Sequence, residues 1–373
     1  MLRKGVAIIH YMPLEIYPPV MNLVRTWDTL YTGLQMDVYT TSLDKKKLHF
    51  QPLSKNTRVN RYGVSGRKTG LLLRCWLYFY YYIATFLMLI KTRPASVLYF
   101  DTISSFPAIL YKMIWKNHCR LFVHYNEYMS EEEYRHGMFL VKWFHQLEKK
   151  IYNKTAWLSH TNQERMDLFK ADLPGVIIPH PYILPNFPPA EWNTGKKVNT
   201  GFPLKIVYTG ALSMDTMYTR LFAEWVLQQN GAVTWDIYSL NITAETVAYI
   251  KSLPGMAVTL HEGIDYYSLP GVLKLYDVGI ILYSGHIPNY IFNAPNKLFE
   301  YAAVGMDVWF PHHMQSSRPY ITANSYPKII AVNFQLLDEI KIDQLTSRSG
   351  LVFQPHPFTC ESVLLPLLEK LAV

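Results

Sequence analysis

Cysteine is scarce in this sequence, and its scarcity excludes a fold stabilised by disulfides. The 373 residues include three cysteines, Cys75, Cys119 and Cys360, and no Cys-x-x-Cys pair. An odd number of widely spaced cysteines indicates free thiols in a reducing compartment. Zinc-ligand spacing is also missing, since the adjacent His312 and His313 point in opposite directions on an extended chain. We therefore expect a cytoplasmic protein without a metal site.

The fingerprints of several large enzyme classes are missing as well. No Gly-x-Gly-x-x-Gly follows the first strand-like run, which argues against a dinucleotide-dependent oxidoreductase. The segment GVSGRKTG, residues 63–70, lacks the spacing of a phosphate-binding P-loop, and no Gly-x-Ser-x-Gly elbow of a hydrolase occurs. The basic residues before the first apolar run have no cleavage site after them, so we expect no signal peptide.

Acidic residues are outnumbered by basic ones, 28 to 36, and the formal net charge is +8. This balance favours anionic partners such as nucleotides or a membrane surface. No zinc-finger or RNA-binding motif accompanies it, so we expect no nucleic-acid partner. Half of the residues are hydrophobic and 15% are aromatic, which permits large buried cores and excludes general disorder. The length is typical of two domains.

Strand-like apolar runs alternate with helical segments, which indicates parallel sheets covered by helices on both faces. The proline-rich stretch 174–203 interrupts the alternation and is the best linker candidate. We predict two doubly wound α/β domains, 1–185 and 186–373, and the last helix could pack back toward the first domain. Ligands bind at the carboxyl ends of strands in such sheets. The predicted strands are Lys4–Tyr11, Met36–Thr41, Thr57–Tyr62, Ser96–Asp101, Arg120–Tyr125, Ala156–Thr161, Leu204–Gly210, Val233–Ser239, Met256–Glu262, Asp277–Tyr283, Met306–Pro311 and Lys328–Asn333.

The segment Cys75–Ile90 contains sixteen uncharged residues, fewer than the roughly 20 that a spanning helix needs. Three interpretations stay open: a buried domain helix, a helix that also contacts lipid headgroups, and a membrane span. Aromatic residues and basic flanks suit the interface. A peripheral position on the inner face of a membrane is therefore one alternative. The flanking basic residues are Arg67, Lys68, Arg74, Lys91 and Arg93.

The segment PNKLFEYAAVGMDVWF, residues 295–310, is mostly apolar but contains the charged residues Lys297 and Glu300 near its start. Pro295 suits the first turn of a helix, and Lys297 and Glu300 then share one face near its N-terminus. Free N–H groups and the helix dipole attract an anion there. The lysine could neutralise a phosphate, and the carboxylate could accept hydrogen bonds from a sugar diol. A local surface ion pair is the alternative.

This segment resembles the nucleotide-sugar motif of GT-B glycosyltransferases, in particular the family-4 group, which carries P-x-K-x-x-E-x-x-A-x-G. The resemblance implies that Lys297 contacts the donor diphosphate and that Glu300 holds the ribose hydroxyls, with Asn296 beside them. KIVYTGAL, residues 205–212, is similar to the family's first strand and glycine turn, so Gly210 is the counterpart where the diphosphate approaches the backbone. The order of elements along nearly the whole chain is similar. The implied fold has two Rossmann-like domains facing a central cleft.

The sequence departs from this pattern at three positions. The glutamate that many relatives carry eight residues before Glu300 is Phe292 here. The arginine after the glycine turn is Ala211, with Arg220 the nearby basic residue, and the proline before the last strand is Asp307.

The acceptor side would lie in the first domain. Glu127 follows the strand Arg120–Tyr125, where a carboxylate could orient an acceptor hydroxyl or accept its proton, with Asn126 assisting. Tyr11 and Glu15 follow the first strand, in a loop that could bind the acceptor or serve the fold. Asp101 is expected to cap the next helix.

The resemblance implies a retaining glycosyltransferase that moves a hexose from a nucleotide sugar to a glycan or lipid-linked acceptor in cell-surface polysaccharide synthesis. Lys297 and Glu127 are the candidate catalytic residues, and no metal or other cofactor is expected. A nucleotide-sugar epimerase of the same fold and a non-catalytic nucleotide-sugar-binding protein remain alternatives.

Overall fold

The protein forms two compact units in a computed structural model that describes residues 3–43, 50–64, 70–116, 118–193, 195, 201–322, 324–347 and 350–373. The first unit comprises Met1–Pro185 and Cys360–Val373, and the second comprises Asn186–Thr359. Arg67 and Lys68, two of the predicted flanking charges, lie outside the described residues.

The first unit is built on a parallel sheet of seven strands in the order β3-β2-β1-β4-β5-β6-β7. The reversal of strand order between β1 and β4 is the switch point of a doubly wound sheet. The central strands are buried on both faces, which explains their continuous apolar sequences. The strands are β1 Arg3–Ile9, β2 Gln35–Ser42, β3 Thr57–Val64, β4 Pro94–Phe100, β5 Arg120–Tyr125, β6 Trp157–His160 and β7 Pro181–Ile183.

Local signals set several helix starts in this unit. Ser130 and Glu133 form a reciprocal capping box at α4, and Asn162 accepts a hydrogen bond from the Arg165 backbone at α6. Short 3₁₀ turns cover Leu14–Ile16, Thr102–Ser104 and Tyr152–Lys154. The helices are α1 Pro18–Leu30, α2 Leu71–Thr92, α3 Ser105–Ile114, α4 Glu131–His136, α5 Phe139–Lys149 and α6 Gln163–Ala171.

The second unit repeats the architecture with a six-stranded parallel sheet in the order β10-β9-β8-β11-β12-β14. Its switch point lies between β8 and β11. A small additional sheet pairs β13 with β15. The strands are β8 Leu204–Thr209, β9 Val233–Ser239, β10 Val258–Glu262, β11 Val278–Ile280, β12 Asp307–Pro311, β13 Ser325–Tyr326, β14 Ile329–Val332 and β15 Val352–Phe353.

Helices cover the second sheet, and its core is built around buried aromatic residues such as Phe222, Trp235 and Trp309. The 3₁₀ segments are Ala190–Trp192, Tyr266–Ser268, Gln315–Tyr320 and Leu337–Glu339. The helices are α7 Thr219–Gln228, α8 Ala244–Ser252, α9 Leu269–Leu273, α10 Pro288–Ile291, α11 Asn296–Ala303 and α12 Ile342–Thr346.

The last helix, α13 Cys360–Ala372, belongs to the first unit. It packs against α1 and against the sheet, where the Ser96 hydroxyl donates to the Leu371 carbonyl at 3.0 Å. The Arg120 guanidinium in turn donates to Ser96 Oγ at 2.8 Å. The chain therefore returns to its first unit after completing the second.

Every strand predicted from the sequence is present, with ends shifted by at most three residues. The linker candidate 174–203 is partly wrong, because it contains β7, which pairs with β6 along Pro181–Ile183. Proline is tolerated there because β7 is an edge strand.

Of the three interpretations of Cys75–Ile90, the well-buried domain helix is wrong. The helix extends over Leu71–Thr92, and its buried residues are Tyr81, Tyr82, Thr85 and Leu89. Within the described residues it is the one helix that is long and apolar enough to cross a membrane. Cys75 on this helix is exposed, whereas Cys119 and Cys360 are buried free thiols.

Candidate functional site

The turn after β8 brings Gly210 and Lys297 into direct contact. Gly210 has a φ of +113°, a conformation that residues with a side chain rarely adopt. A Cβ atom at this position would lie 2.8 Å from Lys297 Cε and 2.9 Å from its Nζ. Lys297 Nζ also lies 5.7 Å from the ring centroid of Tyr208. An ammonium group and an open backbone turn therefore share the carboxyl edge of the sheet, beside its switch point.

Tyr301 fixes the helix that carries Lys297. Its hydroxyl accepts a hydrogen bond from the Thr209 backbone N–H at 3.0 Å and lies 3.0 Å from Thr209 Oγ1. Its ring lies against β11, where a Cβ on Gly279 would come within 2.1 Å of it. Through Tyr301, the helix α11 is hydrogen-bonded to the end of β8 and packs against β11. This orientation of the helix places Lys297 beside Gly210.

Glu300 is buried one turn after Lys297. Asn296 Nδ2 donates to Glu300 Oε1 at 2.6 Å. Burial raises the pKa of Glu300 above its ordinary value, although the charge of Lys297 and hydrogen bonds from Asn296 and Tyr266 act in the opposite direction. The ion pairs of the described residues do not include Lys297 with Glu300, so the local surface ion pair is not the arrangement found.

Arg220 is not brought to this cluster. It lies on the exposed side of α7, and its guanidinium carbon is 4.9 Å from the ring centroid of Tyr249 on α8. Phe292, at the end of α10, is half-buried. We therefore leave Arg220 out of the candidate donor site, which consists of Gly210, Lys297, Glu300 and Asn296.

A second polar cluster lies at the carboxyl edge of the first sheet. Asp101 follows β4, and it accepts hydrogen bonds from the Asn126 backbone N–H at 2.8 Å and from Asn126 Nδ2 at 3.1 Å. The Asn126 carbonyl accepts a bond from the buried Arg165 guanidinium at 2.8 Å. Glu127 is exposed beside this pair, and its backbone N–H points to Asp101 at 3.5 Å.

The expectation that Asp101 caps a helix is wrong, because its side chain makes no cap hydrogen bond and instead holds the turn after β5. Its φ is +56°, a conformation that costs a residue with a side chain about 1–3 kcal/mol. Burial and the negative charge of Glu127 raise the pKa of Asp101 to about 7, while the hydrogen bonds from Asn126 and Glu127 oppose the shift. The positive φ and the raised pKa together make Asp101 a candidate functional residue.

Tyr11 and Glu15 have structural surroundings. The Tyr11 ring is buried in the core and stacks on Tyr78 with centroids 4.9 Å apart. Glu15 is buried and pairs with Arg61 at 2.5 Å, and it accepts a hydrogen bond from the Phe50 backbone at 2.8 Å. We therefore do not assign either side chain to the substrate contacts.

Sequence reasoning assigned Asp101 to a helix cap, and it missed Gly279 and Tyr301 as parts of these clusters. A signal existed for Gly279, since a glycine inside an otherwise bulky buried strand marks the close approach of another group. Tyr301 gives no such signal, because an aromatic residue in an apolar helix is typical of any core. No group of three or more potential metal ligands occurs in the part of the chain that the structure describes.

No protein-family model and no curated protein sequence matches this chain. Solved structures do match over nearly its full length. HepE from Anabaena, in complex with UDP and glucose, has a TM-score of 0.64 at 10% identity and covers 99% of both chains. The lipopolysaccharide outer core galactosyltransferase WaaB has a TM-score of 0.56 at 12% identity, with 98% of this chain and 95% of that chain covered.

A third similar structure is the UDP-GlcNAc 2-epimerase from Neisseria meningitidis bound to UDP-GlcNAc. Its TM-score is 0.57 at 10% identity, and the match covers 98% of this chain and 100% of that chain. At such low identity these matches establish the fold alone. The chain has the GT-B fold, with two Rossmann-like domains.

Proposed function

We propose that the protein is a glycosyltransferase of the family-4-like group, which takes a hexose from a nucleotide sugar. The acceptor we propose is a glycan or a lipid-linked glycan used in cell-surface polysaccharide synthesis, at the cytoplasmic face of a membrane. Retention at the anomeric carbon is part of the proposal. The related fold of HepE, whose structure holds UDP and glucose, supports a nucleotide-sugar donor.

The observation that carries the proposal is the contact between Lys297 and the Gly210 turn at the switch point of the second sheet. The ammonium and the N-terminus of α11 would bind the donor diphosphate and stabilise its charge as it departs. No metal or other cofactor is required for that role in this proposal. Glu300, held by Asn296, would accept hydrogen bonds from the ribose hydroxyls.

The acceptor would bind at the edge of the first sheet near Glu127. Its carboxylate is exposed there and would orient the acceptor hydroxyl or accept its proton. Asp101 and Asn126 would keep the Glu127 turn in place, since the Asp101 carboxyl is bonded to both backbone and side chain of Asn126.

The test is binding of a panel of nucleoside monophosphates, diphosphates and nucleotide sugars, followed by calorimetry with variants. Glu300→Ala should weaken the best diphosphate ligand by about 1.5–3 kcal/mol, because hydrogen bonds to a charged group are lost. Glu245→Ala, an exposed carboxylate on α8, is the matched control and should bind like wild type. Equal affinity of Glu300→Ala and wild type, at unchanged melting temperature, contradicts the donor site.

Product analysis then separates the transferase from its two alternatives. Transfer or slow hydrolysis of the sugar supports the transferase. Inversion at the sugar C2 without release of nucleotide diphosphate identifies an epimerase, an activity named for one protein of this fold. Tight binding without any turnover identifies a binding protein, which the replacement of a family glutamate by Phe292 would favour.

A further inference from the structure

The outer face of α2 is apolar, the reverse of the usual arrangement for a helix on a protein surface. Leu72, Trp76 and Phe79 are 87%, 60% and 56% exposed, and Ile83 and Leu87 continue the row. Their spacing of three and four residues places them on one side of the helix. The row extends about 22 Å at 1.5 Å per residue.

The inner face of α2 is attached to the unit by polar groups as well as by packing. The Tyr81 hydroxyl donates to the Tyr39 carbonyl at 3.1 Å, and the Tyr82 hydroxyl donates to the Ile103 carbonyl at 3.0 Å. These bonds fix the side of α2 that packs against β3 and α3. A membrane-spanning orientation would require these tyrosines to leave the core, so the helix is suited to lie in the plane of a membrane surface.

Two exposed aromatic residues of α5 extend this apolar face. Phe139 is 76% exposed, and Trp143 is also exposed. Trp143 and Tyr82 both contact Phe106, with ring centroids 5.2 and 5.9 Å away, which places Trp143 beside α2. We name the outer face of α2 together with Phe139 and Trp143 the apolar surface.

The segment Leu71–Lys116, which carries α2, is basic, and its charge favours an anionic partner. Between Leu71 and Lys116 the chain has one acidic residue, Asp101, and Asn126 binds its carboxyl. Lys91 and Arg93 follow the end of the apolar row and are exposed, whereas Arg74 lies on the face of α2 that carries Tyr81 and Thr85. The basic residues of this segment are Arg74, Lys91, Arg93, Lys112 and Lys116.

We propose that the apolar surface docks the first unit onto a bilayer that contains anionic lipid, with α2 lying in the interface. Tryptophan and phenylalanine would enter the boundary between headgroups and acyl chains, and the basic residues would contact lipid phosphates. The inference specifies a surface and an orientation, and it does not rest on the proposed transferase chemistry. Each membrane contact comes from the first unit, whereas the candidate donor site lies in the second.

The test is flotation of the full chain with vesicles of phosphatidylcholine, with and without phosphatidylglycerol. We expect binding to the anionic vesicles at low salt, weakened by added salt. The double variant Trp76→Ser/Phe79→Ser should lower the partition coefficient at least about tenfold, since two aromatic side chains no longer leave water. Lys91→Gln should lower it about fivefold.

Ile177→Ser is the matched control, because this exposed apolar residue of the same unit lies outside the apolar surface. It should bind vesicles like wild type. Each variant must keep the wild-type melting temperature and nucleotide affinity, which shows that it is folded. If the protein binds vesicles but no nucleotide, the membrane-docking inference stands and the proposed function is overturned.

Three results would overturn the inference. Failure to float with anionic vesicles at low salt removes the membrane as the partner. Resistance of the bound protein to an alkaline carbonate wash indicates a span instead of an in-plane helix. A lipid-free dimer that becomes monomeric in Trp76→Ser/Phe79→Ser shows that the surface is covered by a second copy.

Discussion

Gly210→Ala is the sharpest test of the candidate donor site, because the change adds one carbon atom at the contact that defines it. The new Cβ would lie 2.8 Å from Lys297 Cε and 2.9 Å from Nζ, closer than such atoms approach. The lysine side chain is flexible at its end, so it would move away from the turn. The ammonium would then no longer lie where the diphosphate is proposed to bind.

The expected magnitude has two parts that can be measured separately. A φ of +113° is strained for alanine and should cost about 1–3 kcal/mol of folding free energy. The displaced ammonium should weaken diphosphate binding by about 1.5–3 kcal/mol, the value of a hydrogen bond to a charged group. That loss corresponds to a rise in Kd of about 10- to 150-fold.

The assay is calorimetric titration with the best nucleoside diphosphate, together with urea denaturation of each variant. Gly255→Ala is the matched control in the same unit. Gly255 has a φ of +74° with no atom within 4 Å of an added Cβ, so the variant carries backbone strain alone. It should lose stability and keep its affinity.

A double-mutant cycle makes the reasoning refutable. If Gly210→Ala acts by moving Lys297, adding it to Lys297→Ala should cost little further binding energy, because both changes remove one interaction. Fully additive losses would show that the turn and the lysine act independently. Wild-type affinity in folded Gly210→Ala protein would refute the placement of the diphosphate at this turn.

Two further predictions concern the first unit. Glu127→Gln should reduce transfer to the acceptor by about 10²- to 10⁴-fold while donor affinity and melting temperature stay unchanged; normal transfer removes Glu127 from the mechanism. Because burial raises the pKa of Asp101 to about 7 from 3.8, the folded state retains a proton that the unfolded state releases. The stability contributed by this carboxyl is therefore present below about pH 4 and declines as the pH rises through about 7. Asp101→Asn should gain stability relative to wild type across that window in urea denaturation, and a pH-independent difference would contradict the shift.

The fold was predictable because its strands are continuous apolar runs. Such runs are typical of parallel strands that are buried on both faces of a sheet. The segment Asp277–Tyr283 was predicted as one long strand, yet β11 is Val278–Ile280. The shorter strand follows from pairing, which no local pattern encodes. The edge strand β7 was missed for the same reason, since three residues beginning with proline have no strand signal until β6 pairs with them.

Side-chain direction limited the prediction of the candidate sites. Tyr11 and Glu15 follow β1 at the sheet edge where ligands bind, as the sequence indicated. The Tyr11 ring nevertheless turns into an aromatic core, and Glu15 is paired with Arg61 from β3. Both partners are remote in sequence, so position at a strand end does not by itself distinguish a substrate contact from a structural one.

The helix α2 shows how composition can mislead about burial. Its uncharged aromatic sequence is compatible with a core helix, because apolar residues normally mark the side that faces the protein. In the structure the hydrogen-bonding tyrosines Tyr81 and Tyr82 face inward, and Trp76 and Phe79 face outward. A helix that is apolar on every side cannot be oriented from its own sequence, since both faces satisfy the same pattern.

The donor cluster depends on residues that no motif includes. Lys297 and Glu300 gain their positions from α11, and α11 is positioned by the Tyr301 hydroxyl on Thr209 and by its ring on Gly279. A side chain at residue 279 would push this ring off β11 and rotate the helix. The bare backbone at Gly279 therefore sets the direction of Lys297, while the bare backbone at Gly210 leaves space for its ammonium. Gly279 on β11 and Gly210 in the turn after β8 thus determine one cation site, the first by positioning the helix and the second by admitting its lysine.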